Sequence, residues 1–383
     1  MTHTLATHRQ RGASLIELLI AVGITMFLVS AAAYVYLLTR ESQGVSERTS
    51  ARDEIGAFAL QLLGREIMNA GFYPATMPPP PPLAPASPVT QRQVNTVSGY
   101  PPAASIPTAK PTDWTAPHVN YLHAIYGCEG SKFDHVTATC GAVDNTLPDS
   151  IVINYFTSES KDEAATMGQR RDCTGADVGN DDKATQFVNR VRKLNSPTPI
   201  PAAGIVALTE DATIAPQQPL FVSNRYGLNA TNIVVNVGMK DQGVTTQSLA
   251  CSGNGSSFFG TANTTAYQPI LAGIDDMQLT YGVFNTESTR APDRFYRADQ
   301  VNALGNIAIA GVTMGPWERV VAVRVCLMTS TLGGSTKIAD KTGALRTYLN
   351  CADQPITQLA TDLSLHKRHV QIFGVRNRLN QGF

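Results

Sequence analysis

The chain has no net charge: its 30 lysines and arginines balance 30 aspartates and glutamates, and charged residues make up only 16% of the 383. A balanced surface gives no electrostatic footprint for a phosphate backbone, so nucleic-acid binding is excluded as a function class. No cysteine precedes Cys128, and no two cysteines stand at C-x2-4-C spacing, which argues against a zinc centre. Also missing are H-E-x-x-H, G-x-S-x-G, a P-loop and a dinucleotide fingerprint. Nothing here marks an enzyme, and nothing calls for a cofactor.

What the sequence does have is one long apolar run near its start. From Ala13 to Leu38, about 26 residues, the only formal charge is Glu17, and at ~1.5 Å per residue a helix of that length reaches roughly 39 Å, more than the ~30 Å hydrocarbon core of a bilayer requires. A buried core helix of that length would need protein on every side, and the rest of the chain offers almost no helical packing partners. A cleavable secretory signal is the competing reading: Arg9 and Arg11 form a basic front, and Ala31 and Ala33 supply a small-x-small pattern that would start the mature chain near Tyr34.

Glu17 favours a retained segment. An ionisable side chain in a membrane span costs on the order of 2.5 to 3.5 kcal/mol at the centre, and less near an end, so it is easiest to understand if it has a partner. Cleavage between Gly12 and Ala13 would leave a free ammonium at Ala13, one helical turn from Glu17. Within one chain the pairing is awkward; between two staggered copies it is natural. At ~4 Å the two charges attract by about 4 kcal/mol at an effective dielectric near 20, before desolvation is subtracted. Burial of Glu17 is thereby coupled to axial register between subunits.

Arg9 and Arg11 hold residues 1–12 in the cytoplasm by the positive-inside bias, which directs the bulk of the chain outward, into the periplasm of a Gram-negative cell. After the span (13–38), residues 39–73 continue as an amphipathic helix. Thr39 to Ala70 lacks proline, Ile55, Phe58, Leu62 and Leu63 recur at helical spacing, Ile67 and Met68 extend the stripe, and Gly71 and Pro74 stop it. Residues 74–118, with "MPPPPPLAPASP", read as an extended spacer or surface excursion.

Residues 119–383 form a β-rich head. Strands are expected at 150–156, 204–208, 232–238, 277–284, 319–328 and 369–376, where β-branched and aromatic residues alternate between turn signals. In the fifth, Val321, Val323, Val325 and Leu327 are placed on one face. Regions 157–200 and 239–268 are polar without periodicity and read as loops or insertions. The fold class is α+β: a long amino-terminal helix packed on a carboxyl-terminal antiparallel β-sheet head.

Six cysteines, Cys128, Cys140, Cys173, Cys251, Cys326 and Cys351, all lie on the outward side and allow fifteen pairings, among which sequence cannot choose. Sequential pairing is the simplest, since Cys128 with Cys140 closes a short loop and Cys326 with Cys351 joins a strand to the segment after it. His366 and His369 would fall on opposite faces of a strand, which makes them a poor metal pair and a better solvated basic edge. Asp275 and Asp276 diverge in the same way and read as a turn leading into a strand. "DVGNDD" (177–182) has calcium-ligand types without EF-hand spacing, so no metal site is assigned and a bound ion there stays open.

The string "RGASLIELLIAV" resembles the type III signal of type IV prepilins, with Gly12 ending a basic leader and Glu17 fifth in the mature chain; Ala13 stands where that family usually has Phe. "FALQLLGREIMNAGFY", "LAGIDDMQLTYGVF", "WERVVAVRVCLM" and "FGVRNRL" are similar to PilW-type minor pilins, and "RDCTG" with "LACSGNG" resembles that family's paired cysteine segments. The resemblance implies a pilin-like fold, a Cys173–Cys251 bond, cleavage after Gly12 by a prepilin peptidase and methylation of Ala13. It further implies an inner-membrane, later fibre-borne, minor pilin that helps prime pilus assembly near the tip. Its partners would be other minor pilins, the major pilin and the inner-membrane assembly platform. A type II secretion pseudopilin shares the leader and the rod, though the large head and the Asp-Asp-Met-Gln segment resemble the pilus version more. The alternative from another class is an anchored or secreted enzyme or binding protein with a generic signal.

Overall fold

A computed structural model of the chain describes residues 14–72, 123–134, 139–160, 171–178, 219–237, 240–255, 267–285, 291–309, 312–332, 345–359, 361–362 and 364–376. The leader with Gly12 and Ala13, the Pro-rich stretch, the strand expected at 204–208 and the ends of "DVGNDD" and "FGVRNRL" lie outside the described residues.

The elements in chain order begin with α1 (Leu15–Asn69), β1 (Ile125–Cys128), β2 (Phe133–Asp134), β3 (Thr139–Cys140), β4 (Ser150–Ser160), β5 (Pro219–Val237), β6 (Lys240–Ser252) and β7 (Gln268–Ala272). Next come β8 (Ile274–Val283), β9 (Arg294–Tyr296), α2 (Ala298–Asn302), β10 (Ile307–Ile309), β11 (Val312–Met314), β12 (Val320–Ser330), β13 (Thr347–Leu349), β14 (Pro355–Thr357) and β15 (His366–Gly374). Compactness divides the chain into two units, Met1–Ser50 and Ala51–Phe383, with the boundary inside α1.

In the second unit the expected antiparallel head is built from two main sheets, one ordered β1-β4-β5-β6-β7 and the other β15-β12-β8-β9. Buried side chains from both sheets and from α1 form one core. Asp149 joins the sheets: its N–H donates to the Met277 carbonyl at 2.8 Å, and its carboxylate accepts the N–H groups of Leu279 (2.7 Å) and Gly130 (2.8 Å). Burial, together with the neighbouring Glu129 charge, pushes the Asp149 carboxyl up to about 7 against the pull of those two N–H groups.

The helix buries much of the stripe its apolar residues suggest: Leu63 and Ile67 lie in the core, and Ile55 and Leu62 pack against it. Ala59, Leu60, Leu63, Ile67 and Ala70 are buried, while Phe58 is 50% exposed and Met68 is only partly covered. Two further contact positions on the helix are glycines. A methyl on Gly56 would sit 2.4 Å from the His369 ring, and one on Gly64 would sit 2.2 Å from the Phe373 ring, so β15 packs against bare backbone there. Hydrophobic periodicity cannot register a glycine at a contact. Gly71, at φ 70°, ends the helix and donates its N–H to the Asn154 carbonyl, and the Phe156 N–H donates to the Phe72 carbonyl, tying the helix end to β4.

Three further differences have local causes. In β12 a register shift between Val320 and Ala322 moves Val321 off the inner face; it packs with Phe284, Ile307 and Met314, while Val323, Val325 and Leu327 stay in the main core. The region 239–268, expected as loop, contains β6, whose backbone pairs with β5 from Lys240 to Ser252. Backbone pairing needs no apolar alternation. The strand expected at 232–238 is the outer end of a much longer β5 whose core lies at Leu220–Leu228; Val234 is 73% exposed. Within 157–200, β4 runs on to Ser160.

Candidate functional site: the amino-terminal helix and its anchorage

Helix α1 begins one residue after Ser14, and Ser14-Leu15-Ile16-Glu17 has the Ser-x-x-Glu pattern of a capping box. One half of that box is formed: the Ser14 N–H donates to Glu17 Oε2 at 3.0 Å. Glu17 also lies in the first turn, where the helix dipole favours a negative charge. This local role escaped the sequence reading, although the Ser-x-x-Glu spacing signals it. One carboxylate oxygen is therefore engaged within the chain, and the group keeps lone pairs for a cationic partner.

Beyond Glu17 the described residues of the first unit form no core of their own. Every large apolar side chain from Leu15 to Leu38 is between 44% and 76% exposed. At about 1.5 to 3 kcal/mol per buried large apolar side chain, leaving such a run in water would cost on the order of tens of kcal/mol. The segment is long and apolar enough to cross a membrane and suits membrane anchoring. Its hydroxyls are compatible with that setting: Thr25 bonds back to the Ala21 carbonyl, Ser30 to Met26 and Thr39 to Val35, each at 2.8 Å.

The second unit holds the last turns of α1 by polar as well as apolar contacts. Glu66, buried on the helix, accepts from Asn224 Nδ2 at 2.8 Å, while Asn224 Oδ1 accepts the Cys173 N–H at 3.0 Å. Helix, strand β5 and the 171–178 loop thus meet at one side chain. Cys173 is bonded to Cys251 of β6, and Asp172 beside it gathers the loop by accepting from Thr174 and Ala176 and from the Gly255 N–H at 2.8 Å. Asn254 imitates a neighbouring strand, accepting from Ser223 N–H and donating to the Phe221 carbonyl. These contacts give the two cysteine segments a structural role. The Asx turn at Asp172 and the strand mimicry of Asn254 were not read from sequence.

Cys128 is bonded to Cys140 and Cys326 to Cys351, so all six cysteines are paired in chain order. Among the described residues no group of three or more His, Cys, Asp or Glu could hold a metal ion. His366 and His369 point to opposite faces of β15. His369 lies against α1 with its ring 3.0 Å from Thr329 Oγ1, and burial lowers its pKa, with Lys367 adding to the effect. Asp275 faces His366, whereas Asp276 is held by Gln278 at 3.0 Å and is raised above the usual carboxylate range by burial.

Comparison with known proteins locates two matches on this framework. Residues 235–377 match the family described as Type IV Pilus-assembly protein W, and residues 7–33 match the prokaryotic N-terminal methylation motif. The first takes in β8, β12 and β15; the second takes in Gly12, Ala13 and Glu17. A search of curated proteins finds no match. Among solved structures, a type IV-like pilin from Thermus thermophilus aligns over 88% of this chain and 97% of its own, at 10% identity and a TM-score of 0.31, a level that carries no conclusion for this chain.

Proposed function

We infer the function of this chain from the premise that it is a PilW-type pilin with a prepilin amino terminus, and propose that it is a minor, structural subunit of a type IV pilus rather than an enzyme. The observation that carries the reading is the exposed apolar helix with Glu17 as its only formal charge, set immediately behind the Arg-Gly-Ala junction of the methylation motif. In this reading a prepilin peptidase cuts between Gly12 and Ala13, and the new amino group is methylated.

The apolar helix then has two successive environments. In the inner membrane it is surrounded by lipid, with the leader cytoplasmic and the head periplasmic; in the fibre it is surrounded by the equivalent helices of other minor pilins and the major pilin. Glu17 sets the axial register by meeting a neighbour's Ala13 ammonium, and the inner-membrane assembly platform is where the transfer occurs. The subunit helps prime assembly near the fibre tip.

Glu17→Ala tests the role assigned to the carboxylate. The variant is expected to insert in the membrane at wild-type levels and to be depleted from sheared fibres; equal recovery in fibres would remove the register argument. If the chain were an anchored enzyme or binding protein with a generic signal, removal of everything before Thr39 would leave its activity whole.

A further inference from the structure

β15 opens with His366, and the two-residue alternation of a strand sorts its side chains cleanly. Lys367, His369 and Phe373 face α1, where Lys367 Nζ lies 2.7 Å from Asp53. His366 and Arg368 point the other way, toward the segment that carries the β13–β14 ribbon; Arg368 pairs with Asp353 and donates to the Asn350 carbonyl. That segment is tied to β12 by the Cys326–Cys351 bond. Its far end, at Asp362, comes back to His366.

The His366 ring sits between two carboxylates. Its Nδ1 is 3.0 Å from Asp275 Oδ2 on β8, and its Nε2 is 2.7 Å from Asp362 Oδ2. Tyr348 of β13 stacks on the ring with centroids 4.5 Å apart. Carboxylate oxygens only accept, and a neutral imidazole has a single N–H, so it could satisfy one of these contacts and would oppose a lone pair to the other. Only the imidazolium donates at both nitrogens. The carboxylates are themselves fixed: Asp275 Oδ1 accepts from Ser330 at 2.9 Å, and Asp362 Oδ1 accepts the Ser364 N–H at 2.9 Å.

We propose that His366, Asp275 and Asp362 form a proton-operated latch that holds the Asp362 end of the segment carrying β13 and β14 to the second sheet when the ring is charged and frees that end when the ring is neutral, the Cys326–Cys351 bond remaining as the tether. The charges around the ring favour the closed form. Asp275 and Asp276 on β8, Asp362 in the turn and Asp353 beside the ribbon are negative. The positive Lys367 and Arg368 of β15 are engaged by Asp53 and Asp353, and Arg52 of α1 is paired with Asp53 at 2.8 Å while donating to the Leu365 carbonyl. Burial alone would lower the His366 pKa, but the hydrogen bonds and charges of Asp275 and Asp362 outweigh it and raise the pKa above the ordinary histidine value. A raised folded-state pKa means the closed latch is fully favoured below the pKa of the released ring and is lost as pH climbs through the folded value. Asp362, held below the usual carboxylate range, stays charged throughout that window.

The test is hydrogen–deuterium exchange of the full chain in detergent between about pH 6 and about pH 9, corrected for intrinsic exchange. The reporters are the Gln358 N–H, bonded to the Arg346 carbonyl, and the Leu365 N–H, bonded to Thr331 Oγ1. Their protection is expected to fall with rising pH by up to about tenfold for each unit separating the folded and released pKa values, while the Asn154 amide on β4, bonded to the Ala124 carbonyl, keeps its protection. His366→Gln and Asp362→Asn are both expected to remove the pH dependence: the first has no titrating ring, and the second lets a neutral ring meet a side chain that can donate to it. Constant protection across the range in the wild type, or an undiminished decline in either variant, would overturn the latch.

Discussion

Gly64→Ala sets two physical effects against each other with opposite signs. In an exposed helix interior, replacing glycine by alanine stabilises by about 0.8 to 1 kcal/mol through backbone entropy. Here the added methyl would lie 2.2, 2.6 and 2.7 Å from three atoms of the Phe373 ring. Ordinary contact begins near 3.4 Å, so the ring must retreat by about 1.2 Å, and it is a buried ring in the common core, with little free space around it. Overpacking of this kind costs about 1 to 3 kcal/mol, and a displacement of more than an ångström belongs in the upper part of that range. The net expectation is destabilisation by about 1 to 2 kcal/mol. Urea unfolding of the detergent-solubilised chain measures it, with tryptophan emission as the probe; Trp317 is buried between Tyr126 and Tyr281. Phe373→Leu in the Gly64→Ala background is expected to recover part of the loss, as a contact-mediated effect should. Gly44→Ala, where a methyl meets nothing within 4 Å, is the control and should not destabilise. If Gly64→Ala stabilises as Gly44→Ala does, the glycine seam between α1 and β15 is not a packing determinant.

Other consequences come from the polar joints and the crosslinks. The Asp149 carboxyl titrates near 7 when folded and near its ordinary 3.8 when unfolded, so the folded state binds the extra proton and stability should fall as pH rises between those values; Asp149→Asn should flatten that slope in unfolding curves taken across the range. Asn224→Ala removes the Nδ2 donor from Glu66 and the acceptor from the Cys173 N–H, and should cost about 2 to 4 kcal/mol by denaturant unfolding. Loop-closure entropy ranks the disulfides: paired alanine substitution should cost about 3 kcal/mol at Cys128–Cys140, separation 12, and about 4.5 kcal/mol at Cys173–Cys251, separation 78. A reversed order would show that native packing, not chain entropy, governs the crosslinks.

The parts of this molecule that announce themselves in sequence are those where one side chain type repeats. The apolar helix and strands β4, β8 and β12 are of this kind, because a core-facing strand or a lipid-facing helix needs many apolar residues in a row. The parts that hide are those where the contact is made by an absence or by backbone. Gly56 and Gly64 carry the seam with β15, yet contribute nothing to a hydrophobic pattern. The inner half of β5 is interrupted by Ser223, Asn224 and Arg225, all buried, so its apolar alternation is broken where the strand is most enclosed. β6 pairs through its main chain, and a single-residue bulge redirects Val321 without any change in composition. At the amino terminus, Glu17 was legible as an exception in an apolar run, while its hydrogen bond to Ser14 required the spacing to be read as a cap.

The central claim is that the chain is processed as a prepilin, and the amino terminus of the mature protein tests it most directly. Intact mass and amino-terminal sequencing on membrane-associated protein from its native host should find a chain that starts at Ala13 and is one methyl group heavier than the bare sequence. A chain starting near Tyr34 would contradict the account: Glu17 would then be discarded with an ordinary secretory signal, and nothing would remain for a subunit to register against.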